Sequence, residues 1–424
     1  LLPMKPLVKN LLPLLTGLAL LAGCKKELDD YYQPVATAGY FVIGLPGATL
    51  NTTSSTAVNG GKYAPGETVP IIAGYNQPDN PTTITVFQAT KTDSMQVGSY
   101  PIGGTLLPSA QVTTQTIPYK VPTTYPVGTL VRVDLTLAFP NGGTRLRRFT
   151  YQVANAPTLA FGTPAATPRN GLAMNAQAEG DLIGYAITLN AGGISTSTTP
   201  AANLFKSVDS LVYYARVGTT GTPVRQGVIK IPTAGVENKR TIDLRVPSGA
   251  AAGGGASFVF VAYAQSVGAQ LSTPLLPVVA ATPFKTTRQG RLAFGGGVTT
   301  DSLAYNLVTG LNEPAANANT GKDVQVSGLS SAGNLTLNTS NTTRYYKLTA
   351  AQLAANPYAT ATANMVGSLL YQNTPTADLG TPAVGDVYAV RLRGTTEVML
   401  LRVLSLRAST NGGVGRLRFE YHSL

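Results

Sequence analysis

Thr116-Ile117-Pro118-Tyr119-Lys120-Val121-Pro122 has a near copy in Thr241-Ile242-Asp243-Leu244-Arg245-Val246-Pro247, 125 residues further on. Both read Thr-Ile, any residue, apolar or aromatic, basic, Val-Pro. After each Val-Pro comes a Gly-containing loop of about eight to ten residues and then an alternating run. The run carries Val131, Val133, Leu135 and Leu137 in the first copy, and Phe258, Phe260 and Ala262 in the second. Apolar residues at every second position put one face of a strand into a core. Upstream, Thr83–Phe87 stands against Ser210–Tyr214, 127 residues apart. Two matches in the same order at nearly equal offsets imply tandem homologous domains of roughly 120 residues.

Composition agrees with strands. The chain has 424 residues, 45 Gly and 29 Pro, with 12% charged and 43% hydrophobic. Threonine is abundant, and helical periodicity is nearly absent after residue 24. β-branched residues separated by turn formers favour many short strands. The order of strands resembles the immunoglobulin-like or fibronectin-type sandwich modules of bacterial surface proteins. The antibody pattern of paired Cys and a core Trp cannot apply, because Cys occurs once and Trp is absent. Each core must then be filled by Val, Leu, Ile, Tyr and Phe. Two such sandwiches are expected over 38–155 and 156–285.

Residues 286–424 follow a different pattern. Thr349-Ala350-Ala351-Gln352 is a capping box opening a short helix that stops before Pro357. Gly385–Arg393, Val398–Leu406 and Gly415–Tyr421 read as a closing antiparallel meander. On Gly385-Asp386-Val387-Tyr388, Leu401-Arg402-Val403-Leu404 and Arg418-Phe419-Glu420-Tyr421, the segment resembles C-terminal β-domains of Bacteroidota lipoproteins. Some of those bind haem through two histidines, and this chain has one, His422. The expected fold is therefore all-β: two tandem Ig-like β-sandwiches plus a C-terminal antiparallel β-domain with one short helix.

The N-terminal stretch carries an address. Lys5 and Lys9 precede an apolar run from Leu11 to Ala22 that ends in Leu21-Ala22-Gly23-Cys24. The run is shorter than the ~20 residues a spanning helix needs, and it has the build of a secretory signal peptide. Leu21, Ala22, Gly23 and Cys24 resemble the lipobox of bacterial lipoproteins. The resemblance implies cleavage after residue 23 and lipidation of Cys24, the only cysteine. Glu27, Asp29 and Asp30 resemble the export signal of Bacteroidota surface lipoproteins. Residues 25–37 are expected to be a tether, and the protein to be lipid-anchored in the outer membrane, facing the cell exterior.

Chemistry is sparse. His422 lies three residues from the end and lacks the partners of a triad. Zinc needs Cys or His ligands, and neither Asp29-Asp30 nor Asp79-Asn80 has calcium-loop spacing. Glu67, in Pro65-Gly66-Glu67-Thr68, reads as a turn residue. Gly253–Gly255 and Gly295–Gly297 are followed by no Lys-Ser/Thr and are not phosphate loops. No enzyme activity, cofactor or metal is expected, although a dispersed carboxylate pair is the third reading. Tyr345 and Tyr346, flanked by Arg344 and Lys347, are the first candidates for a sugar platform, because strand neighbours point to opposite faces. Arg391, Arg393, Arg402, Arg416 and Arg418 alternate with Leu and Val and are expected to form a basic stripe on one outer sheet face. The formal charge of +12 suits acidic polysaccharide or lipid headgroups; its dispersal does not suit nucleic acid. The leading expectation is a non-catalytic protein for adhesion or ligand capture, with glycan as a candidate ligand. The alternative is an architectural subunit of an outer-membrane complex.

Overall fold

The computed structural model describes residues 39–46, 50, 58–108, 111–195, 203–295 and 302–424, the side chains of 58–60 excepted. These form two compact units. The first runs to Pro157 and includes Gly192–Ser207 and Ala264–Val267; the second comprises Thr158–Ala191, Val208–Tyr263 and Gly268–Leu424. No described helix is long and apolar enough to cross a membrane. The lipobox Leu21-Ala22-Gly23-Cys24, the acids Glu27, Asp29 and Asp30, and the tether lie outside the described residues.

In the first unit nine strands make a sandwich. They are β1 (Phe41–Gly44), β2 (Val58–Tyr63), β3 (Thr68–Tyr75), β4 (Thr83–Ala89), β5 (Ser94–Pro101), β6 (Thr105–Leu107), β7 (Val112–Lys120), β8 (Leu130–Ala138) and β9 (Thr144–Val153). The sheets are ordered β1-β3-β7-β6 and β2-β9-β8-β4-β5. This is the strand order of an immunoglobulin-type sandwich. Every pairing is antiparallel except β2 with β9. The alternating residues of β8 explain the register: Val131, Val133, Leu135 and Leu137 are all fully buried. With no disulfide or tryptophan to fill the centre, tyrosines do so. The Tyr119 and Tyr151 hydroxyls lie 2.9 Å apart, and Tyr119 Oη also donates to Gln88 Oε1. Burial pushes the Tyr119 phenol up to about 12.

The second unit begins with β10 (Leu159–Pro168), β11 (Leu182–Leu189), β12 (Val208–Val217), β13 (Val224–Thr233), β14 (Asn238–Arg245), β15 (Ala256–Ala264) and β16 (Val267–Ser272). Their sheets are β10-β11-β14 and β13-β12-β15-β16. The same topological order recurs, and the sequence repeat falls on equivalent strands. Thr116–Lys120 lies on β7 and Thr241–Arg245 on β14; Thr83–Phe87 lies on β4 and Ser210–Tyr214 on β12.

The remainder of this unit is a further sandwich built from two five-stranded sheets. Its strands are β17 (Thr286–Phe294), β18 (Ala304–Asn306), β19 (Leu311–Glu313), β20 (Val324–Leu329), β21 (Leu335–Asn338), β22 (Arg344–Lys347), β23 (Asp378–Gly380), β24 (Val387–Arg391), β25 (Val398–Arg407) and β26 (Gly415–Ser423). One sheet is β17-β26-β25-β24-β22 and the other β19-β18-β20-β21-β23. Helix α1 (Ala350–Ala355) starts on the expected capping box, with Thr349 and Gln352 bonded reciprocally.

A second helix, α2 (Ala363–Gln372), is an addition to the expected single helix. Thr362 caps it by accepting from Met365 N. Its apolar stripe, Ala363, Val366 and Leu370, packs with Val387, Ala389, Val398 and Leu400 on the outer face of the β17–β22 sheet. A second stripe, Asn364, Gly367 and Tyr371, meets the 169–181 segment and β14. Asn364 Nδ2 donates to buried Asp181 Oδ2 at 2.6 Å, and its Oδ1 accepts from Thr282 N. Tyr371 Oη donates to Asp243 Oδ2 at 2.6 Å.

The turn between β24 and β25 has two central residues at positive φ, Arg393 (46°) and Gly394 (70°). Such a turn matches strand twist but penalises a side chain at the first position. Arg393 is held there by Asp323, which is fully buried. Its guanidinium reaches both carboxylate oxygens, at 2.8 and 2.7 Å. The same carboxylate accepts from Leu307 N, Asn341 Nδ2 and Thr343 Oγ1.

Candidate functional site

The helix layer covers only part of its sheet, and β25 records where it ends. Val398-Met399-Leu400-Leu401 is buried at every position, as a strand covered on both faces must be. From Arg402 onward the strand reverts to alternation, with Ser405 and Arg407 exposed. A bulge between Val403 and Ser405 inserts Leu404 as an extra residue. Bulges re-aim the side chains that follow. Here Ser405 lies opposite Arg418 and Arg407 opposite Arg416, all on the outer face.

On the other side of β26, Arg291 of β17 lies directly opposite Arg418. The helix-free half of this face therefore holds Arg291, Arg407, Arg416 and Arg418, all exposed, with two directly opposed arginine pairs. None of the four has a carboxylate partner among the described residues. Like charges placed opposite each other on a sheet destabilise it. At ~5 Å in water each pair costs about 0.8 kcal/mol before salt screening. Glu420, the nearest acid on β26, is taken by Arg402, whose guanidinium also lies 4.4 Å from the Tyr358 ring. Two hollows, of about 230 and 560 Å³, share Arg291 and Arg418 as walls; Asn312 and Tyr305 line the first and Ser302 the second.

The expected arginine stripe is therefore partly right and partly redistributed. Arg416 and Arg418 belong to it. Arg402 is neutralised by Glu420, Arg393 serves Asp323, and Arg391 sits beyond the helices at the far end of the sheet. Arg291 and Arg407 were missed. Neither could be placed from the sequence without knowing that β17 pairs with β26 and that β25 carries a bulge.

The tyrosine pair does not make a platform. Tyr345 is 2% exposed and faces the core, donating to Asp323 O at 2.7 Å; desolvation raises its pKa well above the ordinary value. Tyr346, on the opposite face as alternation requires, packs under the helices and donates to Gln352. Arg344 donates to the carbonyls of Asn341 and Thr343.

His422 is not at a frayed end. It lies in β26, an inner strand, with Nδ1 2.9 Å from Thr287 Oγ1 and its ring against Tyr358 and Phe284. Burial lowers its pKa; Glu420 opposes the shift and Arg402 adds to it. Glu67 is the turn residue expected, accepting from Ala64 N at 2.7 Å. It is also the partner of Lys206 Nζ, at 2.5 Å, and of Ser266 Oγ, all within the first unit. Among the described residues no group of three His, Cys, Asp or Glu side chains is placed to hold a metal ion. A hollow of about 760 Å³ in the first unit lies between Thr90–Asp93 and Tyr125–Leu130. Its two charges, Lys91 and Asp93, have opposite signs, so it lacks the concentrated charge of the arginine face.

No family model matches the chain, and no curated protein matches it. Solved structures are similar at low identity. A DUF4466 family protein from Parabacteroides merdae is 12% identical over 63% of this chain and 99% of its own, with a TM-score of 0.23. The ectodomain of a teleost fish polymeric Ig receptor is 10% identical over 50% of this chain and 94% of its own, with a TM-score of 0.18. A tetra-tandem repeat from the extending region of a large adhesion protein is 11% identical over 91% and 74%, with a TM-score of 0.19. At these scores no role passes from them to this chain, and the Ig-like assignment rests on the strand orders above.

Proposed function

We propose that this chain is a non-catalytic, lipid-anchored protein of the cell envelope, exposed on the outer surface, that captures acidic polysaccharide. The observation that carries the capture reading is the pair of opposed arginine couples, Arg291 with Arg418 and Arg407 with Arg416. An arrangement that costs stability alone is relieved when an anionic chain lies across it. Guanidinium forks bind carboxylate and sulfate oxygens two at a time. The sequence of the leader supports the anchor.

The test is binding of the full chain, in detergent, to polygalacturonate and to dextran. We expect retention on the acidic polymer only. With about 0.7 counterions released per contact on a flexible polyanion, four arginines give a log–log salt slope near −3, or roughly 50-fold weaker binding at 200 than at 50 mM salt. The double variant Arg291→Ser/Arg418→Ser should halve that slope. Equal binding to dextran, or an unchanged slope in the variant, defeats the reading. A protein co-purifying in stoichiometric amount, with no polymer bound, would instead support an architectural subunit.

A further inference from the structure

A second basic site lies on residues separate from the arginine face. At the far end of the same sheet, Arg391 of β24 stands directly opposite Arg344 of β22. The two guanidinium groups are not equivalent. Arg344 Nη1 donates to the carbonyls of Asn341 and Thr343. Arg391 has no hydrogen-bond partner among the described residues and is only half-buried. It opens onto a cavity of about 320 Å³ whose other walls include Arg169, Gly171, Tyr371 and Thr396.

Those walls are fixed. Arg169 lies over the Tyr371 ring at 5.1 Å and donates to Asp243 Oδ1 at 2.8 Å. A Cβ at Gly184 would fall 2.2–2.4 Å from the guanidinium, so Arg169 rests flat on that glycine. Asp243 accepts from both Arg169 and Tyr371 and has little left to offer Arg391. Gly171, where φ is +80°, and Thr396 stand against each other at the rim: a Cβ on Gly171 would sit 3.6 Å from Thr396 Cβ. The Thr396 hydroxyl has no partner among the described residues and is exposed.

The cavity thus offers one uncommitted guanidinium, a pinned and part-exposed aromatic ring and a free hydroxyl. Its volume is at the lower end of small-molecule sites, right for a single ring and too small for a polymer. We propose that it is a site for one carboxylate-bearing sugar ring. Arg391 takes the carboxylate by its fork, the Tyr371 ring meets the apolar face of the sugar, and Thr396 bonds a ring hydroxyl. The proposal does not depend on the arginine face binding anything.

Isothermal titration of the full chain with D-glucuronate and with D-glucose tests it, alongside Arg391→Gln, Arg391→Lys and a control at Arg225, exposed on β13. Glucuronate should bind at least about ten-fold more tightly than glucose, the worth of a charge-assisted pair. Arg391→Gln should abolish that preference, Arg391→Lys should weaken it and Arg225→Ser should leave it intact. Because Arg391→Gln relieves an opposed like-charge pair, its melting temperature should not fall, and that measurement separates lost binding from lost fold. Equal binding of the two sugars, binding of neither, or a preference that survives Arg391→Gln overturns the proposal.

Discussion

Gly367→Ala puts the seat of helix α2 to a decisive test, because two effects of opposite sign meet at one atom. In a helix interior free of contacts, replacing Gly by Ala stabilises by about 1 kcal/mol. At Gly367 the added Cβ would lie 2.2 Å from Asn170 O and 2.9 and 3.0 Å from Asn170 C and Cα. All three are backbone atoms, in a segment where Asn170 is buried and bonded to Gln177. No side chain can swing away, so either the helix or the 169–181 segment must move. Overpacking of this kind costs about 1–3 kcal/mol, and here it also draws Asn364 away from Asp181 and Tyr371 from Asp243. The balance is net destabilisation of about 1–2 kcal/mol. For a unit of this size, that lowers the melting temperature by roughly 2–8 °C. Thermal unfolding followed by near-ultraviolet circular dichroism of the tyrosines reads it, with Gly367→Leu expected to be worse. A melting temperature at or above that of the parent chain would refute the claim that α2 is seated against Asn170.

Asp323→Ala should cost about 3–5 kcal/mol, because it strands the Arg393 guanidinium and leaves the left-handed turn without its anchor; urea unfolding checks this, and a loss under 1 kcal/mol would contradict it. His422 should make the C-terminal sandwich less stable as pH falls. Its folded pKa lies below the ordinary 6.5, so the unfolded chain binds the proton first. The loss begins as pH drops through about 6.5 and is complete below the folded value. His422→Phe should flatten the melting-temperature profile between pH 7.5 and 5.5, and a profile unchanged by the substitution would contradict the assignment. Cys24→Ala should move the protein from the membrane fraction to the soluble fraction; unaltered fractionation would rule out the anchor.

The repeat made the Ig-like half of the fold legible. Thr-Ile-x-apolar-basic-Val-Pro marks the same strand in both sandwiches, because the inward positions of that strand must be apolar and its end must turn. The cap on α1 was equally readable from Thr349 and Gln352. Helix α2 was not. Asn364 and Gly367 lower its helix propensity and interrupt its apolar stripe, yet its second contact surface requires both. A usable signal went unread next to it: Val398–Leu401 and Val387–Val390 are apolar at consecutive positions, which on a sheet means cover on both faces. The arginine face was half legible. Alternation identified Arg416 and Arg418 as outward, but their partners Arg291 and Arg407 depend on pairing and on a bulge, which hydrophobic pattern alone does not encode. Tyr345 misled because alternation says that one of two neighbours points out, without saying that the outer face is roofed by helices.

The bulge at Leu404 makes the chemistry of this surface a matter of counting. Were the strand to run regularly through that point with Leu404 kept, Ser405 and Arg407 would turn inward and Leu406 out; with Leu404 removed, Ser405 follows Val403 in plain alternation and every residue keeps its face. A single-codon deletion of Leu404 would therefore straighten the strand and keep the charged patch. Lineages could gain or lose the bulge by insertion and deletion while the arginine face persists, so a gap at this point of an alignment still leaves the same residues outward.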